Sequence, residues 1–195
     1  MKGRTRPAGG TNMDNGASSY RRYLDGDNSA FDEIIKEYFD SLVFFLNRYL
    51  RDLPAAEDIA MDAFADLIVS RHRYDFRVSL KTYLFMLGRS RALNYLKHRK
   101  ILPMTDLEEA GEQPAQQETL EEMLLADERK RRVSGALAQL PTDLREAVYL
   151  VYFEELSCDE AAKVMKKNRK QVYNLLYRAK NKLRTVLGEE GERLL

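Results

Sequence analysis

The stretch from Leu156 to Arg184, LSCDEAAKVMKKNRKQVYNLLYRAKNKLR, constrains the fold most. Ser157 and Glu160 stand in S-x-x-E order, the capping box that opens a helix. Ala161, Ala162 and Met165 give that helix a small apolar face, and Lys166 to Asn168 interrupt it. Asn168 is a good N-cap for a second helix. In that helix Val172, Leu175 or Leu176, Ala179 and Leu183 recur at spacings of three and four, so they share one buried stripe. Two short helices, a tight turn and small residues at their crossing predict a helix-turn-helix.

Charge says what such a motif docks on. Residues 163–184 hold nine Lys or Arg and no Asp or Glu, whereas a solvated helix mixes signs. A one-signed basic second helix suits the phosphate walls of a DNA major groove. Arg169, Lys170, Gln171 and Asn174 fall in its first two turns, where base edges are reached, and Arg178 and Lys180 follow toward the phosphates. Arg and Gln can make bidentate contacts to guanine and adenine.

The whole-chain net charge of +1 hides a segregation into blocks. Residues 71–100 hold nine Lys or Arg against one acid, Asp75, and residues 101–128 hold nine Asp or Glu and no base. The local blocks, not the total, carry the electrostatic argument. A single cysteine, Cys158, excludes an intramolecular disulfide and fits a reducing compartment. No apolar run approaches the roughly 20 residues that span a bilayer, and the start lacks a hydrophobic signal core, so the expected location is cytoplasmic.

The pattern is helical throughout, with no alternating strand-like run, and the expected class is all-α. Residues 1–19 are polar and expected to be disordered. From 20 to 100 the chain reads as one helical domain. Asp27 or Asn28 caps a helix with Phe31, Ile34, Ile35 and Tyr38, which runs into the dense apolar segment Leu42 to Leu50. Pro54 opens the next helix, whose Asp58, Asp62 and Asp66 form a ladder at spacing four. Like charges at that spacing cost a few tenths of a kcal/mol each, so a basic partner is expected opposite them.

Ser79 caps the following helix, and Gly88 sits inside it, where close packing would justify the glycine. Before it, Arg71 to Arg77 form a basic loop with two aromatics. Arg73, Tyr74, Phe76, Arg77, Lys81, Asn94 and Lys97 form the set suited to an unpaired strand, whose bases stack and whose phosphates pair with cations. Residues 101–119, with Pro103, Gly111 and Pro114, read as a flexible acidic linker. A second helical domain spans 120–187. In it Leu124, Leu137 and Leu140 line one helix, and Leu144, Val148, Val151 and Tyr152 face the helix-turn-helix. Residues 188–195 form a tail.

Taken in order, these pieces resemble a bacterial sigma factor of the extracytoplasmic-function type, group four of the sigma-70 superfamily. The resemblance covers about Tyr20 to Leu187. GDNSAFDEIIKEYFDSLVFFLNRYL looks like the opening helices of sigma domain two. AEDIAMDAFADLI looks like the helix that binds the coiled coil of the polymerase β′ subunit, which would make Asp58, Asp62 and Asp66 the anchor. RYDFRVSLKTYLFMLGRSRALNYLKHRK is similar to the segment that captures the melted downstream promoter element. ALAQLPTDLREAVYLVYFEELSCDEAAKVM, with the helix after it, looks like sigma domain four, the reader of the upstream element. The family often has Trp where Tyr83 stands and Asn where Ser90 stands. Its turn usually carries a glycine where Lys166 stands, so Lys166 is expected to be left-handed at about 1 kcal/mol.

The resemblance implies two helical domains that bind RNA polymerase core, through its β′ and β subunits, and promoter DNA. It implies an anti-sigma factor as a further partner, and no cofactor, no catalysis and no membrane insertion. Two other classes compete. One is a one-component helix-turn-helix regulator with a helical sensory domain, against which the basic, aromatic stretch from Arg71 to Lys100 argues. The other is a helical hydrolase, but His72 and His98 have no metal-ligand spacing, and no phosphate loop or nucleophile elbow is present.

Overall fold

The computed structural model of the chain describes residues 16–101 and 128–187, and among these every regular element is helical. The expectations for residues 1–15, for the linker beyond Ile101, for Leu124 and for the tail at 188–195 lie outside the described residues.

Helix α1 (Ala17–Leu24) begins three residues before the boundary expected from sequence. Tyr20 is the reason: its ring is fully buried, and its hydroxyl donates to the carbonyls of Leu67 at 2.9 Å and Arg71 at 3.2 Å. Gly16 precedes the helix at φ 76°, and a Cβ there would lie 2.8 Å from the Tyr38 ring. Helix α2 (Ser29–Leu50) starts beside Asp27, whose Oδ1 accepts from the Ser29 amide at 3.1 Å and its hydroxyl at 2.6 Å. Helix α3 (Leu53–Val69) starts at Asp52, which accepts from the Ala55 amide, with Pro54 in the first turn as its fixed φ favours.

Helix α4 (Leu80–Ile101) lies across α2 and α3. Ser79 caps it by accepting from the Thr82 amide at 3.1 Å. Gly88 is where α4 meets α2: a Cβ would sit 3.0 Å from Leu42 Cδ1 and 3.2 Å from Leu46 Cδ2. Phe31, Ile34, Leu42, Phe45, Leu46, Phe64, Leu67, Leu84 and Phe85 form the core between these helices.

The second half holds α5 (Glu128–Ala138), α6 (Thr142–Val148), α7 (Cys158–Met165) and α8 (Arg169–Leu187). Between α6 and α7 the helix widens into a π-helical turn, Tyr149–Phe153, closed by a bond from the Glu154 amide to the Tyr149 carbonyl. That turn corrects the expected facing set. Leu144 and Val148 are buried as expected, but the wider turn rotates the register, so Tyr149 and Leu150 go inward and Tyr152 is 41% exposed.

The two halves pack directly on each other. Tyr149 stacks on Phe45 with ring centroids 5.9 Å apart, and α7 runs against α4. Three carboxylates of the second half reach onto α4. Glu146 meets Arg89 at 2.7 Å, Glu154 meets Lys81 at 2.7 Å, and Glu160 Oε1 accepts from the hydroxyls of Ser79 and Thr82 at 3.2 Å. Glu146 and Glu154 are 4% and 6% exposed, so these are contacts of an interior and not of a surface.

Candidate nucleic-acid interface

The helix-turn-helix is built as its sequence requires. Ser157 Oγ accepts from the Glu160 amide while Glu160 accepts from the Ser157 amide, so the capping box is closed. Lys166 takes φ 53°, ψ 44° at the end of α7, the left-handed turn expected where relatives of this motif place glycine. Its neighbour Lys167 donates its amide to Ala162 and pairs with Asp143 at 3.2 Å. Val172, Leu175, Ala179 and Leu183 are buried, which fixes the opposite side of α8 toward solvent.

At 100° per residue, Lys170, Asn174, Tyr177 and Asn181 form the line most directly opposed to the buried stripe. Arg169, Lys170, Gln171, Asn174 and Arg178 are exposed, and Lys180 is half-buried at the flank. Two of the six expected readers are already engaged. Arg169 pairs with Asp159 at 3.3 Å and donates to the Tyr173 hydroxyl at 3.2 Å, contacts that raise its pKa further, the hydrogen bond first. Gln171 Oε1 accepts from the Asn168 amide while Asn168 Oδ1 accepts from the Gln171 amide, both at 2.8 Å. Gln171 stays exposed with one Oε1 lone pair given to the helix cap, which fixes its side chain at the start of α8. Tyr173 and Tyr177, 49% and 68% exposed, belong to the face and escaped the sequence reading. Their spacing of four, off the buried stripe, is the signal that marks them.

The second set sits on the 71–77 loop and α4. Arg73 and Arg77 are exposed, and Arg77 pairs with Asp75 at 3.2 Å. Asn94 and Lys97 are exposed further along α4. Tyr74 corrects the expectation of an open stacking ring. It is 3% exposed, donates to the Val78 carbonyl at 2.7 Å, and lies against Tyr20 and Tyr83. Phe76 is half-buried with φ 61°, a strained value for a phenylalanine, and Arg21 stands 4.9 Å over its ring. Lys81 is held by Glu154, whose carboxylate and carbonyl both accept from it. This set is therefore split between open cations and side chains already committed within the fold.

The acidic ladder finds its basic partner inside the chain. Arg91 of α4 donates to Asp66 at 2.6 Å and to Asp62 at 3.2 Å, which offsets the like-charge cost along α3. Asp58 and Asp62 stay exposed. Beside them Met61, Ile68 and Val69 are 53%, 44% and 82% exposed, and all five residues fall on one side of α3. Carboxylates interleaved with exposed apolar side chains are the make-up of a protein-binding face. Among the described residues no group of His, Cys, Asp and Glu could hold a metal ion, and no helix is long and apolar enough to cross a membrane.

A model of sigma-70 region 2 matches residues 21–101, and a model of sigma-70 region 4 matches residues 130–183. The chain is similar to the ECF RNA polymerase sigma factor SigM of Bacillus subtilis, 28% identical over 162 residues, covering 80% of this chain and 93% of that one. It is also similar to the RNA polymerase sigma-H factor of Pseudomonas aeruginosa, 29% identical over 170 residues, covering 83% and 88%. In fold it resembles CnrH, solved in complex with the cytosolic domain of CnrY, with a TM-score of 0.62, 19% identity and coverage of 89% and 97%. It also resembles the sigma factor RpoE of Bartonella quintana, solved with the anti-sigma factor NepR, with a TM-score of 0.59, 21% identity and coverage of 82% and 97%.

Proposed function

The chain belongs to the sigma-70 family, with a region 2 and a region 4 domain in family order, and from this we propose how its two halves divide the work of a sigma factor. It binds core RNA polymerase and directs promoter-specific initiation of transcription. A one-component regulator would need a sensory domain where region 2 stands, so that reading is set aside. The protein acts by binding and not by catalysis, in the cytoplasm, where the polymerase works.

The acid and apolar side of α3 anchors the chain to the core polymerase, with Asp58 and Asp62 meeting a basic partner surface. The exposed face of α8 docks in the major groove of the upstream element. Lys170 and Arg178 neutralise phosphates, and Asn174 reaches base edges. The loop at 73–77 and the open side of α4, with Arg73, Arg77, Asn94 and Lys97, receive the melted downstream strand. A flipped base costs a few kcal/mol of stacking, which pocket contacts offset. Lys81 can join that set only after Glu154 leaves it, so strand capture requires the halves to part. An anti-sigma factor is a further proposed partner, in line with the one bound by the RpoE neighbour.

One observation carries this reading. A one-signed basic helix of a helix-turn-helix lies open to solvent in the same chain as an exposed acid and apolar face on α3. One chain can then hold polymerase and promoter at once. The test is run-off transcription by core polymerase with the wild-type chain and with Asp58→Lys plus Asp62→Lys. The wild type should give promoter-dependent RNA. The double variant should lose core binding by roughly tenfold or more, since like charges would meet across the interface. Equal core binding by both proteins would remove α3 from the anchoring role.

A further inference from the structure

The seam between the halves forms an open cleft of about 350 Å³ that neither the anchoring face nor the DNA face uses. That volume lies within the range of small-ligand sites. Its walls come from the ends of α2 and α4 on one side and from α6 on the other. Four arginines line it: Arg48, Arg51, Arg89 and Arg145. Of the two acids in the lining, Glu146 is paired with Arg89 and Asp143 with Lys167. Among the described residues no carboxylate pairs with Arg51 or Arg145. Arg145 makes one long contact, to the Ala138 carbonyl at 3.4 Å. Arg48 is fixed by stacking over Phe44 at 4.6 Å and Tyr149 at 4.2 Å.

We propose that this seam binds a compact polyphosphate, with Arg51 and Arg145 gripping the phosphate chain from opposite halves and Arg48 beside them. Guanidinium groups match phosphate oxygens with paired, charge-assisted hydrogen bonds, and several of them converging on one hollow is the arrangement a chain of phosphates neutralises. Burial, and then the charges of Arg48 and Arg51, hold Arg145 below the usual arginine range, a repulsion that a bound anion relieves. Arg51 helps by position: it ends α2 in a left-handed conformation, φ 49°, at the mouth of the hollow. Because the walls belong to both halves, the site exists only while they are packed together. Its ligand must therefore favour the joined form by whatever affinity it has for it. The inference needs that packing alone and not the polymerase role.

The experiment is calorimetric titration of the full chain with inorganic tripolyphosphate at physiological salt, beside a melting curve. Binding should be saturable, and the melting temperature should rise with ligand as mass action requires. Arg51→Gln and Arg145→Gln should each weaken binding by about tenfold, the usual worth of one charge-assisted hydrogen bond. Arg51 is exposed, so its variant tests the site without disturbing a core. Lys170→Gln with Arg178→Gln on α8 should leave the affinity unchanged. No saturable binding would overturn the proposal. So would binding that the α8 variant abolishes and the seam variants leave intact, since the ligand would then sit on the DNA face.

Discussion

Residues 71–100 and 163–184 carry nine Lys or Arg each, yet the fold treats the two blocks differently. On α8 the cations stand outward from a buried stripe, and Lys170, Arg178 and the half-buried Lys180 are free of the helix core. On α4 four of them pair within the molecule: Lys81 with Glu154, Arg89 with Glu146, Arg91 with Asp62 and Asp66, and Arg99 with Asp52. Charge density along a chain therefore marks a surface that could meet nucleic acid. Pairing decides whether that surface is available. The face proposed to read duplex is largely open in the free chain, with Arg169 and Gln171 engaged at its edge, and the face proposed to capture the strand is partly closed by the chain's own carboxylates.

The largest expected effect comes from breaking that closure. Glu146→Ala leaves Arg89 buried without its partner, and loss of one member of a buried pair costs about 3–5 kcal/mol. Urea unfolding should show it. A loss below about 1 kcal/mol would mean the pair is as expendable as a surface bridge. Next, Asn174→Ala on the outward line of α8 should relax preference at one base pair by about 1–3 kcal/mol, measured across a panel of upstream-element duplexes. Gln171→Ala should act through the helix cap and lower stability without changing base preference.

These contrasts also mark what could be read from sequence. The capping box, the left-handed Lys166, Pro54 in the first turn of α3, the Ser79 cap and the close approach at Gly88 are local matters of spacing and residue type, and each could be read directly. Tyr74 and Tyr152 could not. An aromatic in a basic loop looks the same in one dimension whether it stacks on a base or on Tyr20. The π-helical turn that exposes Tyr152 depends on how the second half meets the first. Arg91 shows the reverse: the Asp62 and Asp66 ladder called for a basic partner, but only the fold could say which one. The engagement of Lys81 by Glu154, 73 positions away, is likewise invisible to any local pattern.

Smaller effects sharpen the comparison. Lys170→Ala should weaken duplexes of every sequence alike and reduce the slope of affinity against salt by about 1. A sequence-dependent loss would make Lys170 a base reader instead. Glu160 supplies a pH-dependent part of the seam. Burial opposes its ionisation, but hydrogen bonds from Ser157, Ser79 and Thr82 win and hold it below the usual glutamate value of 4.5. A depressed carboxylate contributes fully above its unfolded value and loses that contribution as pH falls through its folded one. The melting temperature should therefore fall as pH drops below 4.5, and by less in Glu160→Gln.

The direct test of the account is binding of labelled DNA by the free chain and by the chain on core polymerase. The free chain should bind upstream duplex weakly, with steep loss as salt rises, and should bind the unpaired downstream strand far less than the polymerase-bound chain does. Comparable binding of that strand by the free chain, abolished by Lys81→Ala, would contradict the claim that α4 is closed until the halves part.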